Sequence, residues 1–159
     1  MAIKLSKSFA SAMMDGTTGS TTGSAAAQIN GLMKLFIYKG TVPATASTAI
    51  GSATLMVTVS NAGAEINMDD PAVDGVLSKD PGETWDDNGA GVGGGGGVAT
   101  FYRLMLTADD GATDTGDGTR PRVQGTIGTG NADMLLGNTT LVASDPFTVP
   151  TFTLSLLPT

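Results

Sequence analysis

Residues 93–107 read GGGGGVATFYRLMLT, a glycine tract that runs straight into the clearest strand candidate of the chain. In the second half, aromatic and aliphatic residues follow one another, and Arg103 is the only charged residue among them. A stretch that is apolar on both faces is typical of a central strand covered on both sides, so we predict such a strand over residues 98–107. The tract is predicted to let the backbone pass close to another subunit, because glycine carries no side chain to obstruct it.

Four further stretches have the pattern of strands. They are residues 32–39, 53–59, 120–127 and 147–157. Alternation in the second of these places Leu55, Val57 and Val59 on one face, and alternation in the last places Phe152 and Leu154 together. The third is predicted to return as the antiparallel neighbour of the central strand. Short strands, glycine-rich turns and the lack of a long helical pattern predict an all-β fold, an antiparallel β-sandwich or jelly-roll-like single domain.

The N-terminal part differs from the rest of the chain. Residues 6–14 place Phe9 and Met13 at helical spacing behind two candidate serine caps, which predicts a short amphipathic helix. Residues 17–27 contain only Gly, Ser, Thr and Ala and have no hydrophobic face, which predicts a flexible or extended linker. We therefore expect an N-terminal helix and arm over residues 1–30. Its apolar tip either grips an adjacent subunit or folds back on its own domain.

An acidic segment interrupts the remaining domain, which we place at residues 31–159. Between residues 64 and 97 the regular pattern is lost, and acidic residues cluster around Pro71 and Pro81. We interpret residues 64–97 as an acidic and glycine-rich insertion in a surface loop. Trp85, the only tryptophan, is its candidate anchor. It is either an interface hot spot or a residue that caps the end of the domain's own core.

The composition limits the class of protein. Of 159 residues, 40% are hydrophobic, 14% are charged and 23 are glycine. A weakly charged surface of small residues loses little side-chain entropy on immobilisation, which favours assembly over free diffusion. The net charge of -7 disfavours phosphate backbones, and no apolar run approaches the length of a membrane-spanning helix. We therefore expect a soluble protein whose partners are neither nucleic acid nor membrane.

The loop at residues 108–119 is the best candidate for a metal site. Its aspartates are Asp109, Asp110, Asp114 and Asp117. Clustered carboxylates suit calcium, but their spacing does not match an EF-hand loop, so we predict a solvated hairpin loop instead. The chain has no His and no Cys, and it lacks a nucleophile motif such as Gly-x-Ser-x-Gly. No catalytic residue, cofactor or metal site is predicted, and we expect the protein not to be an enzyme.

Three blocks of sequence resemble a known group of proteins. They are residues 35–43 (LFIYKGTVP), 99–104 (ATFYRL) and 125–136 (GTIGTGNADMLL). Their type and order are similar to those of small virion structural proteins of tailed bacteriophages, the head decoration or minor structural protein group with a β-sandwich core. The closing strand at residues 148–156 agrees as well. The chain departs from the group in the segment at residues 64–97 and in a longer hairpin at residues 109–119.

This resemblance implies a virion component without catalysis, made in the host cytoplasm. Within that class we favour a capsid decoration or cement protein that packs through its arm and its sheet edges, as a homo-oligomer in contact with the major capsid protein. A collar- or tail-associated protein is the alternative. A receptor- or carbohydrate-binding module built on the Trp85 loop is a second alternative. The interface candidates are Phe9, Met13, Met14, Trp85, Phe101 and Arg103.

Overall fold

The computed structural model describes residues 3–15, 24–70, 73 and 75–155, and only the backbone of residues 14 and 15. Most regular structure in this part is β. The helices are α1 (Lys7–Asp15) and α2 (Ala25–Ile29). The strands are β1 (Lys4–Leu5), β2 (Met33–Lys39), β3 (Thr54–Asn61), β4 (Val76–Ser78), β5 (Trp85–Asp86), β6 (Gly97–Val98), β7 (Phe101–Leu106), β8 (Arg122–Gly128), β9 (Met134–Leu135), β10 (Thr140–Leu141), β11 (Thr148–Val149) and β12 (Thr153–Ser155).

One large sheet dominates the fold. Its strand order is β1-β8-β7-β2-β3-β5-β11, and these neighbours are antiparallel, whereas β9 pairs with β8 in parallel. Strand β7 lies between β2 and β8, and its first five residues are buried. The predicted central strand is therefore confirmed, as is the predicted pairing of β8 with β7. The predicted all-β class is confirmed at the level of a mostly β chain with a large antiparallel sheet and a short N-terminal helix.

Apolar side chains cover both faces of this sheet because successive residues of a strand point to opposite sides. On β7, Tyr102 and Leu104 belong to the larger core cluster, whereas Phe101 and Met105 belong to a second cluster. The rings of Phe101 and Tyr38 stack in the second cluster, with centroids 5.0 Å apart. The continuous apolar run of β7 thus reflects two separate hydrophobic cores.

A β-bulge changes the predicted faces of β3. Val57 lies opposite Ile37 and Leu55 lies opposite Tyr38, so Met56 is an extra residue without a partner on β2. An extra residue reverses the alternation beyond it. As a result, Met56 is 2% exposed and Leu55 is 41% exposed. The prediction that Leu55 shares a buried face with Val57 is wrong.

The predicted long final strand is divided in two. Strand β11 pairs with β5 in the large sheet, whereas β12 pairs with β4 in a separate two-stranded sheet. Pro150 lies between them and has no amide hydrogen to continue a ladder. A single strand over residues 147–157 is therefore wrong, although Phe152 and Leu154 are both buried as the alternation predicted. Residues 156 and 157 lie outside the described part.

The segment at residues 64–97 is built into the fold. It supplies β4 and β5, and it contributes five side chains to the main core: Ile66, Met68, Leu77, Trp85 and Val92. Strand β5 joins β3 to β11 within the large sheet. The interpretation of this segment as a surface insertion therefore underestimated its contribution to the core. Short apolar stretches lie between its acidic turns, and these stretches are buried.

The N-terminal helix lies against the same chain. Helix α1 forms where it was predicted, and Ser6 Oγ accepts a hydrogen bond of 3.1 Å from the Phe9 amide, as a helix cap does. Phe9 is fully buried in the main core, and β1 adds to the edge of β8. Of the predicted linker at residues 17–27, residues 17–23 lie outside the described part. Its end is not a linker, because Ser24 caps helix α2.

Candidate functional site

Most of the interface candidates from the sequence lie inside the chain's own core. They are Phe9, Phe101 and Arg103, each 0% exposed, and Trp85, which is 1% exposed. Met13 packs partly buried against the main core. The side chain of Met14 lies outside the described residues. The four buried side chains therefore present no surface to a neighbouring subunit, and they hold the fold together.

Two buried arginines lie side by side on the second face of the sheet. Arg122 forms a bidentate ion pair with Asp109, with Nη2 2.6 Å from Oδ1 and Nε 2.7 Å from Oδ2, and both side chains are fully buried. Arg103 donates from Nε to Gln124 at 2.9 Å and from Nη2 to the Thr48 carbonyl at 2.7 Å. Burial, and then the nearby Arg122, lower the pKa of Arg103 to about 10. The expectation that Arg103 is an edge or interface charge is wrong.

This arginine pair fastens two loops to the sheet. The loop after β2 turns its carbonyl groups inward, and Gln124 Nε2 donates to the Pro43 carbonyl at 2.9 Å. The loop between β7 and β8 contributes Asp109, the carboxylate that compensates Arg122. Buried guanidinium groups need such partners, because an uncompensated buried charge costs several kcal/mol. We therefore interpret the cluster as a structural element and not as a chemical site.

The aspartates of the loop at residues 108–119 have separate partners. Asp109 binds Arg122, Asp110 binds Arg120, Asp114 binds Ser8 and Ser47, and Asp117 binds Thr119. Within the described residues, no three acidic side chains are grouped as metal ligands. Only part of this loop is solvated as predicted: Asp110 and Asp117 are exposed, whereas Asp114 is buried.

Asp114 joins the loop to the start of helix α1. Its Oδ2 accepts from the Ser8 amide at 2.9 Å, and its Oδ1 accepts from Ser8 Oγ at 2.6 Å. Gly116 and Ser47 supply two further donors. Burial alone would raise the pKa of Asp114, but these hydrogen bonds outweigh it and lower the pKa to about 2.

This depressed pKa predicts a pH dependence of stability. The ordinary pKa of an aspartate is near 4, so the ionised Asp114 stabilises the fold above about pH 4, and this contribution is lost as the pH falls toward about 2. We expect Asp114→Asn to lower the free energy of unfolding by about 2 kcal/mol or more near neutral pH. Urea unfolding followed across pH should show the variant and the parent converging below pH 2. A constant difference down to that pH would contradict the prediction.

Trp85 is held by Glu83, a half-buried acidic residue of its own chain. Its Nε1 donates to Glu83 Oε2 at 2.7 Å, and its ring packs against Phe152 with centroids 5.7 Å apart. Glu83 also accepts from the side-chain amides of Asn61 and Asn67 at 2.9 and 2.6 Å. The structure thus agrees with the second of the two interpretations of Trp85, a residue of the domain's own core.

Three of the exposed apolar side chains lie around the glycine tract. Among the described residues, the large exposed hydrophobic side chains are Leu55, Val73, Val98, Leu135 and Val142. Of these, Leu55, Val98 and Val142 are the three around the tract. We call this surface the glycine-tract face and define it as Leu55, residues 93–98, Thr140 and Val142. None of these residues is charged, but Lys39 lies directly beside them and its Nζ donates to carbonyl oxygens of the tract.

Close packing against the chain's own backbone gives the glycine tract its shape. A Cβ atom on Gly94 would lie 2.7 Å from the Leu55 carbonyl oxygen, and one on Gly96 would lie 2.7 Å from the Leu141 carbonyl oxygen. Both residues have positive φ, +60° and +67°. Lys39 Nζ donates to the carbonyl oxygens of both glycines at 2.6 Å. The tract is therefore an ordered turn that brings β3 and β10 together.

Two exposed valines lie on this face. Val98 lies opposite Thr140 in the β6–β10 pair, and Val142 directly follows β10. Leu141 instead packs against the main core. Val98 is 53% exposed and Val142 is 59% exposed. Exposed apolar side chains that lie near one another are typical of a contact site for another macromolecule.

A cleft of about 440 Å³ borders this face at Val98. It is lined by aliphatic, hydroxyl and amide groups, including Thr100, Thr129 and Asn131. Its lining residues, all within the described part, include no aromatic side chain. Carbohydrate sites generally stack a sugar ring on an exposed aromatic ring, so this cleft does not support the carbohydrate-binding alternative.

No family model, curated protein or solved structure matches this chain. The likeness to phage virion proteins therefore rests on the three sequence blocks. In the fold these blocks fall on β2, on β7 and on β8 with β9, and β2, β7 and β8 are adjacent strands of the large sheet. Across the described residues, no helix has both the length and the apolar character needed to span a bilayer.

Sequence reasoning missed the buried ion pair and the glycine-tract face. A signal for buried arginine was present, because Arg103 is flanked by apolar residues in a strand that was itself predicted to be covered on both sides. Nothing local indicated Asp109 as the partner of Arg122. The face had no local signal, because Leu55, Val98 and Val142 are distant in sequence and meet only through strand pairing.

Proposed function

We propose that this protein is a non-enzymatic structural protein of a tailed-bacteriophage particle, and specifically a capsid decoration or cement protein. The observation that carries the proposal is the glycine-tract face, where exposed aliphatic side chains lie beside an exposed glycine backbone. The three sequence blocks supply the phage connection. The fold is part of the proposal, with the large sheet and the short two-stranded sheets as the layers of a β-sandwich.

Charge distribution supports repeated packing on a particle. The glycine-tract face has no carboxylate and consists of backbone and small or aliphatic side chains, with Lys39 as the cation beside it. Such a surface buries apolar area without desolvating a carboxylate. The partners in this proposal are further copies of the chain and the major capsid protein, and the location is the virion after synthesis in the host cytoplasm.

The edges of the large sheet offer little surface for strand addition. The outermost strands β1 and β11 are two residues long each. Short edges are a common protection against unwanted pairing. Sheet-edge contacts therefore make a minor contribution in this proposal, and the glycine-tract face makes the main one.

Charge introduced into the face should release the protein from particles. We expect Val98→Asp and Val142→Asp to reduce retention about tenfold or more, because each places an unpaired carboxylate in the contact. Since both residues are exposed, the free energy of unfolding should change by no more than about 0.5 kcal/mol. Val73→Asp is the matched control, since Val73 is 70% exposed and lies outside the face. Equal retention of all three variants would contradict a role for the face.

The position of the protein on the particle distinguishes a capsid decoration protein from a collar- or tail-associated protein. Gold-labelled antibody against this chain should decorate the heads of purified particles. A signal confined to the neck or tail would instead favour a collar- or tail-associated protein. The absence of any signal on particles would refute the virion assignment.

A further inference from the structure

The first residues of the chain occupy a specific docking site. We call residues 4–9 the N-terminal segment. Its backbone pairs with β8 through Lys4 and Leu5, and the Ser6 amide donates to the Arg122 carbonyl at 2.9 Å. Ser8 binds Asp114 through both its amide and its hydroxyl, at 2.9 and 2.6 Å. Backbone pairing and side-chain hydrogen bonds therefore hold the segment along its length.

The polar partners of this segment all come from distant parts of the chain. Lys4 Nζ donates to the Ala44 carbonyl, 40 residues further on, and Asp114 is 106 residues from Ser8. Ser6 and Ser8 are fully buried. The docking site consists of residues 44–47 and 114–124. An identical segment from a second copy would satisfy the same hydrogen bonds.

The connection between the N-terminal segment and the rest of the chain is long enough for the segment to reach a second copy. Residues 16–23 read GTTGSTTG, and they separate helix α1 from Ser24. Fully extended, the chain from residue 15 to residue 24 spans about 30 Å, which is comparable to the width of a small domain. Exchange of a terminal element between identical chains sacrifices no contact and is a low-cost route to association.

We propose that, when copies of this chain associate, each places its N-terminal segment in the docking site of a neighbouring copy. This inference rests on the proposed function, because it needs copies held side by side. The exchanged segments would link neighbouring copies through buried hydrogen bonds in addition to the contact at the glycine-tract face. The partner is a second copy of this chain.

An engineered disulfide can tell exchanged from unexchanged segments. A Cβ atom on Gly116 would lie 3.4 Å from Lys7 Cβ, close to the range for a disulfide, and the chain has no cysteine of its own. The double variant Lys7→Cys, Gly116→Cys would be prepared in ¹⁵N-labelled and unlabelled form, mixed, concentrated and oxidised. Mass spectrometry of the linked peptides then distinguishes links within one chain from links between chains.

With complete exchange among randomly mixed copies, we expect roughly half of the linked peptides to join a labelled to an unlabelled chain. Linked peptides that are exclusively like-labelled would overturn the proposal, as would a protein that remains monomeric by light scattering at millimolar concentration. The pair Leu5→Cys, Val123→Cys, which face each other across β1 and β8, repeats the test in case the positive φ of Gly116 disfavours the first pair.

A control variant separates exchange from chance collision. Lys7→Cys, Thr129→Cys places the second thiol on an exposed residue outside the docking site. This variant should give few mixed links, and mixed links as frequent as those of the test pair would overturn the proposal. The measurement uses purified protein alone, so a failure of exchange can be told apart from a failure of the labelling experiment on particles.

Discussion

Asp109→Asn is expected to lower the free energy of unfolding by about 3–5 kcal/mol, because it leaves the guanidinium of Arg122 buried without a counter-charge. The two side chains are fully buried and joined by two hydrogen bonds of 2.6 and 2.7 Å. Arg103 lies on the neighbouring strand and adds a second buried positive charge. Denaturant unfolding monitored by circular dichroism measures the change.

The neighbouring residue provides the matched control. Asp110 forms an ion pair with Arg120 at 3.1 Å, but both groups are partly or largely exposed. Exposed pairs contribute little, so Asp110→Asn should leave the unfolding midpoint nearly unchanged. Equal effects of the two substitutions would show that burial of the Asp109 pair does not determine its contribution. Replacing both partners, as in Asp109→Leu with Arg122→Met, should recover part of the lost stability, because no unpaired charge remains.

Trp85→Ala is expected to lower the free energy of unfolding by about 3–5 kcal/mol. Part of this loss comes from the cavity left beside Phe152, and part from Glu83, which loses the indole donor at 2.7 Å. The substitution should also weaken the pairing of β5 with β3 and β11, because Trp85 lies in β5 itself. Urea unfolding at equilibrium provides the measurement.

Trp85→Phe is the control that separates the contribution of the ring's volume from that of its hydrogen bond to Glu83. It keeps much of the ring and loses only the donor to Glu83, so its cost should be clearly smaller than that of Trp85→Ala. A receptor-binding role would produce a different result. In that case Trp85→Ala would abolish ligand binding at unchanged stability, which would contradict the assignment of Trp85 to the core.

The strands that could be predicted are those with a strong local pattern. Strand β7 is a run of apolar residues whose length and composition identify it without knowledge of its neighbours. The same holds for β2, between two glycines, and for helix α1, whose apolar spacing and serine cap are adjacent in sequence. Each of these elements is specified by a pattern within about ten residues, and the structure contains the element that the pattern predicts.

Prediction failed where the local sequence pattern favours a loop but contacts with distant residues bury the side chains. The segment at residues 64–97 is acidic and rich in turns, which predicts a loop, yet Ile66, Leu77 and Trp85 enter the core. The carboxylate of Glu83 binds the side chains of Asn61 and Asn67, and in this way it stabilises the polar turns that the buried residues require. The Glu83 carboxylate thus stabilises the folded segment, and composition alone does not reveal this.

The amino-acid sequence determined the mostly β fold class and the central strands, because hydrophobic periodicity is a property of neighbouring residues. The arrangement of everything else depended on contacts between distant residues. The bulge that exposes Leu55 depends on the register with β2, and the burial of Arg122 depends on Asp109 across a loop. The glycine-tract face forms because the pairing of β6 with β10 brings Val98 opposite Thr140. Such contacts have energies set by three-dimensional distance, which sequence spacing does not specify.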